Sequence, residues 1–145
     1  MTDVASARDA DGGGTGTRSG ALHVEVVSVE QELWSGDATI VIARTTEGEL
    51  GVQPGHTPLL GRLDGVVRIR RTEGAELVVA PHGGFISVTE DGVSILAETA
   101  EFADDIDADR AAQALERARD AGDEPWAPAA EQRARIRLAA VGCAA

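Results

Sequence analysis

Between Ala21 and Phe102 the chain repeats one pattern, in which short runs alternate hydrophobic and polar residues and end in glycine-containing turns. The first run, LHVEVVSV, contains Leu22, Val24 and Val26 at alternate positions. These side chains share one face of a strand, because successive residues of a strand point to opposite faces. Asp-Gly and Glu-Gly pairs separate the runs and no helical period intervenes. The pattern predicts an all-β sandwich or barrel.

Two later stretches of the sequence allow more specific predictions. The run DATIVIART predicts a strand with Ala38, Ile40 and Ile42 facing the core. The segment PHGGF, residues 81–85, contains two glycines that permit a bulge or a close approach of two strands. We expect His82 of this segment to lie in a loop.

After Phe102 the hydrophobic period changes to that of a helix. IDADRAAQALERARDAG predicts a helix over residues 107–121, with Asp107 as its N-cap and Gly122 ending it. DEPWAP then interrupts the chain, and AAEQRARIRLAAV predicts a second helix over residues 128–141. The pattern therefore adds a C-terminal α-helical hairpin to the β domain.

The chain divides into three predicted segments: a polar, disordered tail over residues 1–20, a β-sandwich domain over 21–104 and a helical hairpin over 105–145. The apolar stripe of each hairpin helix is made largely of alanine, which buries little area. In the second helix the predicted stripe consists of Ala130, Ala134, Leu138 and Val141. We expect the hairpin to be held loosely on the sandwich and to be able to move.

Composition excludes several classes of function. The net charge of −12 disfavours nucleic acid and anionic lipid surfaces as partners. All 13 basic residues are arginine, which removes Schiff-base lysines and the P-loop lysine. Cys143 is the single cysteine and the three histidines lie in separate segments, so we predict no catalytic residue and no metal site. No apolar run approaches the roughly 20 residues that span a bilayer, and no secretory signal is evident, so we expect a cytosolic location without membrane insertion.

Two motifs carry a resemblance to a known family. They are EGELGVQPGHTPLL, residues 47–60, and AEFADDIDADRA, residues 100–111. Together they resemble the epsilon subunit of bacterial F-type ATP synthase, whose Ile/Leu-Asp-x-x-Arg-Ala lies in the second motif. They stand in the family's order, and the similarity runs from Leu22 to about Ala121. It implies an N-terminal β-sandwich followed by two helices. It also implies a non-catalytic rotor subunit, peripheral on the cytoplasmic face of the cell membrane within the F1 sector.

The resemblance further implies partners for each domain. The sandwich would bind the gamma subunit and the loops of the c-ring, through Glu49, Pro54, Gly55 and His56. The two prolines of this loop, Pro54 and Pro58, fix φ and stiffen it before it meets a partner. The alternative is that these residues only shape a tight turn. When extended along gamma, the helices would reach the catalytic alpha and beta subunits and inhibit ATP hydrolysis.

Arginines of the two helices indicate a possible regulatory ATP site. Residues seven or four apart share a helix face, so an antiparallel hairpin would bring together four guanidinium groups, each with a fork suited to phosphate. By resemblance the site consists of Glu101, Asp107, Arg110, Arg117, Arg133 and Arg137. The alternative is a solvated charged face with nearby acids as counter-ions, in which Asp107 serves only as a cap. No cofactor is required for the coupling role.

A second class of function remains open from the residues alone. A β domain with a helical hairpin would also suit a stand-alone small-ligand-binding module whose helices form a lid. The two classes differ in a simple observation, because a rotor subunit co-purifies with a large membrane complex and a stand-alone module does not.

Overall fold

The structure, a computed structural model, describes residues 21–144. Six strands are followed by a short 3-10 turn and two helices, which confirms the predicted order of a β-sandwich and a helical hairpin. The elements are β1 Leu22–Ser28, β2 Glu32–Thr45, β3 Gly48–Val52, β4 Leu59–Arg71, β5 Leu77–Thr89, β6 Gly92–Phe102, the turn Ala103–Asp105, α1 Ala108–Ala121 and α2 Ala127–Ala144. The predicted disordered tail, residues 1–20, lies outside the described residues.

The strands form one sheet in the order β1-β6-β5-β4-β2-β3, and β1 also pairs with β2. The sheet thereby closes on itself into a barrel-like sandwich. The pairing of β1 with β6 is parallel, and the other pairings are antiparallel. β2 is long enough to pair with three strands. Its first half pairs with β1, and its second half pairs with β3 and β4.

The interior of the sandwich is filled by aliphatic side chains, as the scarcity of aromatic residues requires. Leu22, Val24 and Val26 of β1 are buried there, as predicted. The predicted face of β2 is correct at Ala38 and wrong beyond it, since Val41 and Ala43 are buried instead of the neighbouring isoleucines. A register shift between residues 38 and 40 supplies the reason. One extra residue in a bulge moves every following side chain to the opposite face.

The glycine pair of β5 allows two strands to approach closely. Gly84 has φ +125, and a Cβ built there would lie 2.0 Å from the carbonyl oxygen of Leu96 on β6. Only glycine fits this position, which confirms the predicted close approach. The predicted loop position of His82 is wrong. This histidine lies within β5 and is 8% exposed.

The hairpin is attached to the sandwich through α2. Ile136 and Ala140 of α2 are buried with Val78 and Ala80 of β5 and with Ala103 of the 3-10 turn. This small cluster lies on the outer face of the sheet, separate from the interior. α1 packs mainly on α2, so α2 is the element that carries the hairpin.

Candidate functional site

The loop between β3 and β4 is held as a rigid turn. The backbone N–H of His56 donates to the carbonyl of Gln53 at 3.1 Å, and Gly55 has φ +87. Proline followed by a glycine with positive φ is the arrangement of a type II turn. The imidazole Nδ1 of His56 lies 2.7 Å from the carbonyl oxygen of Thr57 and therefore donates to it. In the neutral ring the opposite nitrogen, Nε2, is then the acceptor.

Glu49 lies away from this turn, near the other end of β3. It is exposed and pairs across the ladder with Arg44 of β2. Thr45 fixes the tight β2–β3 connection, because its hydroxyl donates to the carbonyl of Gly48 at 2.7 Å and accepts from the backbone of Glu47 at 3.2 Å. Roughly 15 Å of extended chain separates Glu49 from Pro54. The four predicted contact residues thus form two features rather than one.

Beside the turn, the outer face of the sheet carries an apolar patch formed by Leu60, Phe85 and Leu96. Their exposed fractions are 69%, 38% and 41%. Phe85 pairs with Leu96 across β5 and β6 and with Arg62 on β4, whose guanidinium carbon lies 5.2 Å from the centre of its ring. Sequence reasoning missed this patch. Its signal was the adjacent apolar pairs 59–60 and 95–96, because neighbouring residues of a strand point to opposite faces.

The other half of this outer face is covered by α2, and a cavity of about 360 Å³ opens between the hairpin and the end of β6. It contains five of the six residues predicted for nucleotide binding; Arg133 is not among those that line it. The lining residues are Glu101, Asp105, Ile106, Asp107, Arg110, Ala111, Ala114, Arg117 and Arg137. Asp107 caps α1, since its carboxylate accepts from the backbone N–H of Arg110 at 3.1 Å.

One acidic side chain of this cavity links three elements. A single carboxylate oxygen of Glu101 on β6 accepts from Nε of Arg137 on α2 at 2.6 Å and from Nε2 of His82 on β5 at 2.8 Å. Partial burial acts to raise the pKa of Glu101, but the two hydrogen bonds and the charge of Arg137 outweigh it and hold that pKa below its usual range. Burial lowers the pKa of His82, helped by the charges of Arg137 and Arg133 and opposed by the bond to Glu101.

Comparison with known proteins places these features in a family. Residues 21–103 match the family described as the β-sandwich domain of the ATP synthase delta/epsilon chain. The ATP synthase epsilon chain of Streptomyces avermitilis is 54% identical over 121 residues, which are 83% of this chain and 94% of that protein. The chain belongs to the ATP synthase epsilon chain family. The epsilon chain of Rhodococcus opacus is 55% identical over 96 residues, which cover 65% of this chain and 79% of that one.

Two solved structures share the epsilon chain fold. A chain of the Euglena gracilis mitochondrial ATP synthase superposes with a TM-score of 0.70 at 24% identity, covering 95% of this chain and 88% of that chain. A chain from the Tetrahymena thermophila mitochondrial ATP synthase central stalk and c-ring gives a TM-score of 0.50 at 16% identity, covering 84% and 94%.

Family membership makes the chain a non-catalytic subunit of the F1 sector of ATP synthase. Residues 21–144 contain no group of three or more His, Cys, Asp or Glu residues that is placed to hold a metal ion. Among the same residues, no helix combines the length and apolarity that crossing a membrane requires.

Proposed function

We propose that this epsilon chain couples the gamma subunit to the c-ring through its sandwich, on the cytoplasmic face of the plasma membrane. The apolar patch of Leu60, Phe85 and Leu96 carries the proposal. Side chains this large on neighbouring strands expose apolar surface to water, which is unfavourable unless a partner covers it. We assign gamma as that partner, because gamma is among the partners of an epsilon chain. Family membership also disfavours the stand-alone ligand-binding module.

The rigid turn extends the same surface toward the c-ring. Leu60 follows His56 by four residues, so the apolar patch and the turn are continuous along the chain. A preformed turn loses little conformational entropy on binding. His56 presents its second ring nitrogen, Nε2, four residues before Leu60. Glu49, at the far end of the edge strand β3, presents a carboxylate to basic groups of the ring loops.

Introducing a charge in the patch tests this assignment. We expect Leu60→Glu to weaken binding of gamma about 30-fold, the effect of removing one well-packed interface residue. Thr72→Glu adds the same charge at an exposed position beyond the opposite end of β4 and is expected to bind as the wild type does. Titration of purified gamma by surface plasmon resonance measures both. Equal affinities for the two variants would contradict the assignment.

We also propose a role for the hairpin, which is to regulate ATP hydrolysis and to bind a nucleotide phosphate group. Arg110, Arg117 and Arg137 line one cavity, whose volume is at the low end of the roughly 300–1,000 Å³ of small-ligand sites. Among residues 21–144, neither Arg110 nor Arg117 has an ion-pair partner. Guanidinium groups in this state suit phosphate oxygens. The absence of lysine from the chain makes such a site regulatory rather than hydrolytic.

Nucleotide binding is measured most directly by equilibrium dialysis of the chain with labelled ATP. We expect Arg117→Gln to raise the dissociation constant about tenfold, because a charge-assisted hydrogen bond contributes about 1.5–3 kcal/mol. The control is Arg119→Gln, since Arg119 lies on the same helix, is half exposed and does not line the cavity. A similar loss in both variants, or no saturable binding by the wild type, would refute the site.

A further inference from the structure

His82 is buried where α2 covers the sheet, and only one of its two ring nitrogens has a partner. The side chain is 7% exposed. Nε2 donates to the carboxylate of Glu101, while Nδ1 has no hydrogen-bond partner within residues 21–144. The same carboxylate oxygen accepts from Arg137 of α2. Glu101 therefore joins β5, β6 and α2, and His82 holds one side of this junction.

The neutral imidazole is the form that fits this environment. A carboxylate is an acceptor only, so the proton lies on Nε2 and Nδ1 carries a lone pair. Protonation would add an N–H at Nδ1 with no acceptor, and it would place a third cation near two arginines. The charged groups facing His82 are Glu101 from β6 and Arg133 and Arg137 from α2. No carboxylate of β4 within residues 21–144 forms an ion pair with the ring.

We propose that His82, Glu101 and Arg137 form a proton-sensitive latch that holds α2 on the sandwich, so that mild acidification weakens docking of the hairpin. The inference concerns docking alone. It does not depend on the hairpin acting as a brake or on the binding of a nucleotide.

The direction of the effect follows from proton linkage. The pKa of His82 is lowered while α2 is docked, and exposure to water on release returns it toward about 6.5. The released state therefore binds more protons, and docking loses stability as the pH falls below about 6.5. Glu101 acts in the same direction, but only below its own ordinary value of 4.5. A comparison above pH 5 isolates the histidine.

Linkage also sets a ceiling on the effect. If His82 stays neutral while docked, lowering the pH from about 7.5 to about 5.5 raises the ratio of released to docked hairpin about tenfold. Burial and the two neighbouring arginines bring the effect toward this ceiling, and the hydrogen bond to Glu101 brings it down. Partial protonation in the docked state reduces it.

Amide hydrogen exchange of the full-length chain, followed residue by residue by NMR and corrected for intrinsic rates, measures this ratio at both pH values. We expect protection across α2 to fall severalfold, up to about tenfold, between pH 7.5 and 5.5. Protection of β1 in the sandwich should change far less. His82→Gln retains a donor toward Glu101 but does not titrate, and its α2 protection should lose this pH dependence.

His23→Gln is the matched control, because it removes a half-exposed histidine of β1 and should retain the wild-type pH dependence. Each variant is compared with itself at two pH values, so a general weakening of docking by the substitution cancels. Constant protection of α2 in the wild type would overturn the proposal. So would an equal loss of protection in His82→Gln.

Discussion

Gly84→Ala is expected to lower the free energy of unfolding of the sandwich by at least about 3 kcal/mol. Two costs combine at this position. The backbone has φ +125, which side chains with a Cβ rarely adopt, and the added methyl group would lie 2.0 Å from the carbonyl oxygen of Leu96. The strands β5 and β6 therefore cannot stay paired at this position without a backbone shift. Urea unfolding followed by far-ultraviolet circular dichroism measures the loss.

Gly51→Ala provides the control for this substitution. Gly51 also lies in a strand, but its φ is ordinary and the nearest side-chain atom to an added Cβ, on Ile40, is 3.8 Å away. We expect its free energy of unfolding to remain within about 0.5 kcal/mol of the wild-type value. A Gly84→Ala protein as stable as Gly51→Ala would show that the close approach of the two strands does not constrain the fold.

Ala140→Asp is expected to release the hairpin while leaving the sandwich folded. Ala140 is fully buried against the outer face of the sheet, and burying an unpaired carboxylate there costs more than about 3 kcal/mol. The docking surface consists mainly of alanine and single aliphatic side chains, so undocking relieves the cost more readily than unfolding does. Loss of amide protection in α2, with protection of β6 retained, is the measurement.

The same variant separates the two proposed activities of the chain. If the released hairpin inhibits hydrolysis, assembled complexes carrying Ala140→Asp hydrolyse ATP at least about twofold more slowly than the wild type. Complexes carrying a chain that ends at Asp105 hydrolyse it faster. Ala139→Asp adds the same charge at the adjacent exposed position and should change neither docking nor hydrolysis. Wild-type rates in both the released and the truncated form would leave only the coupling role.

The fold was predictable as far as local pattern determines it. Alternation identified the strands and placed the β1 side chains correctly, because β1 is regular over its buried residues. It failed in β2, where the bulge after Ala38 exchanges the two faces. A bulge adds one residue without changing the character of the sequence, so alternation alone does not reveal it. The predicted stripe of α2 also left out Ile136. A single stripe describes one packed face, but α2 packs against α1 on one side and against the sheet on another.

The candidate site was predicted in part. Resemblance and helical spacing selected five residues that line one cavity, but the role of His82 depends on a contact between residues distant in the chain. His82 and Glu101 are 19 residues apart, and Glu101 and Arg137 are 36 apart. Sequence spacing does not reveal contacts at such separations. The apolar patch depends likewise on three strands meeting in one register.

The closure of the sheet has a consequence for the order of events at the ribosome. β1 is held between β2 and β6, so the barrel stays open until the last strand has left the exit tunnel, although its first strand emerged about 70 residues earlier. Such a pairing of distant segments makes folding wait for translation. The surface that receives α2 is complete only then. Each newly synthesised copy therefore exists with its hairpin free before it first docks.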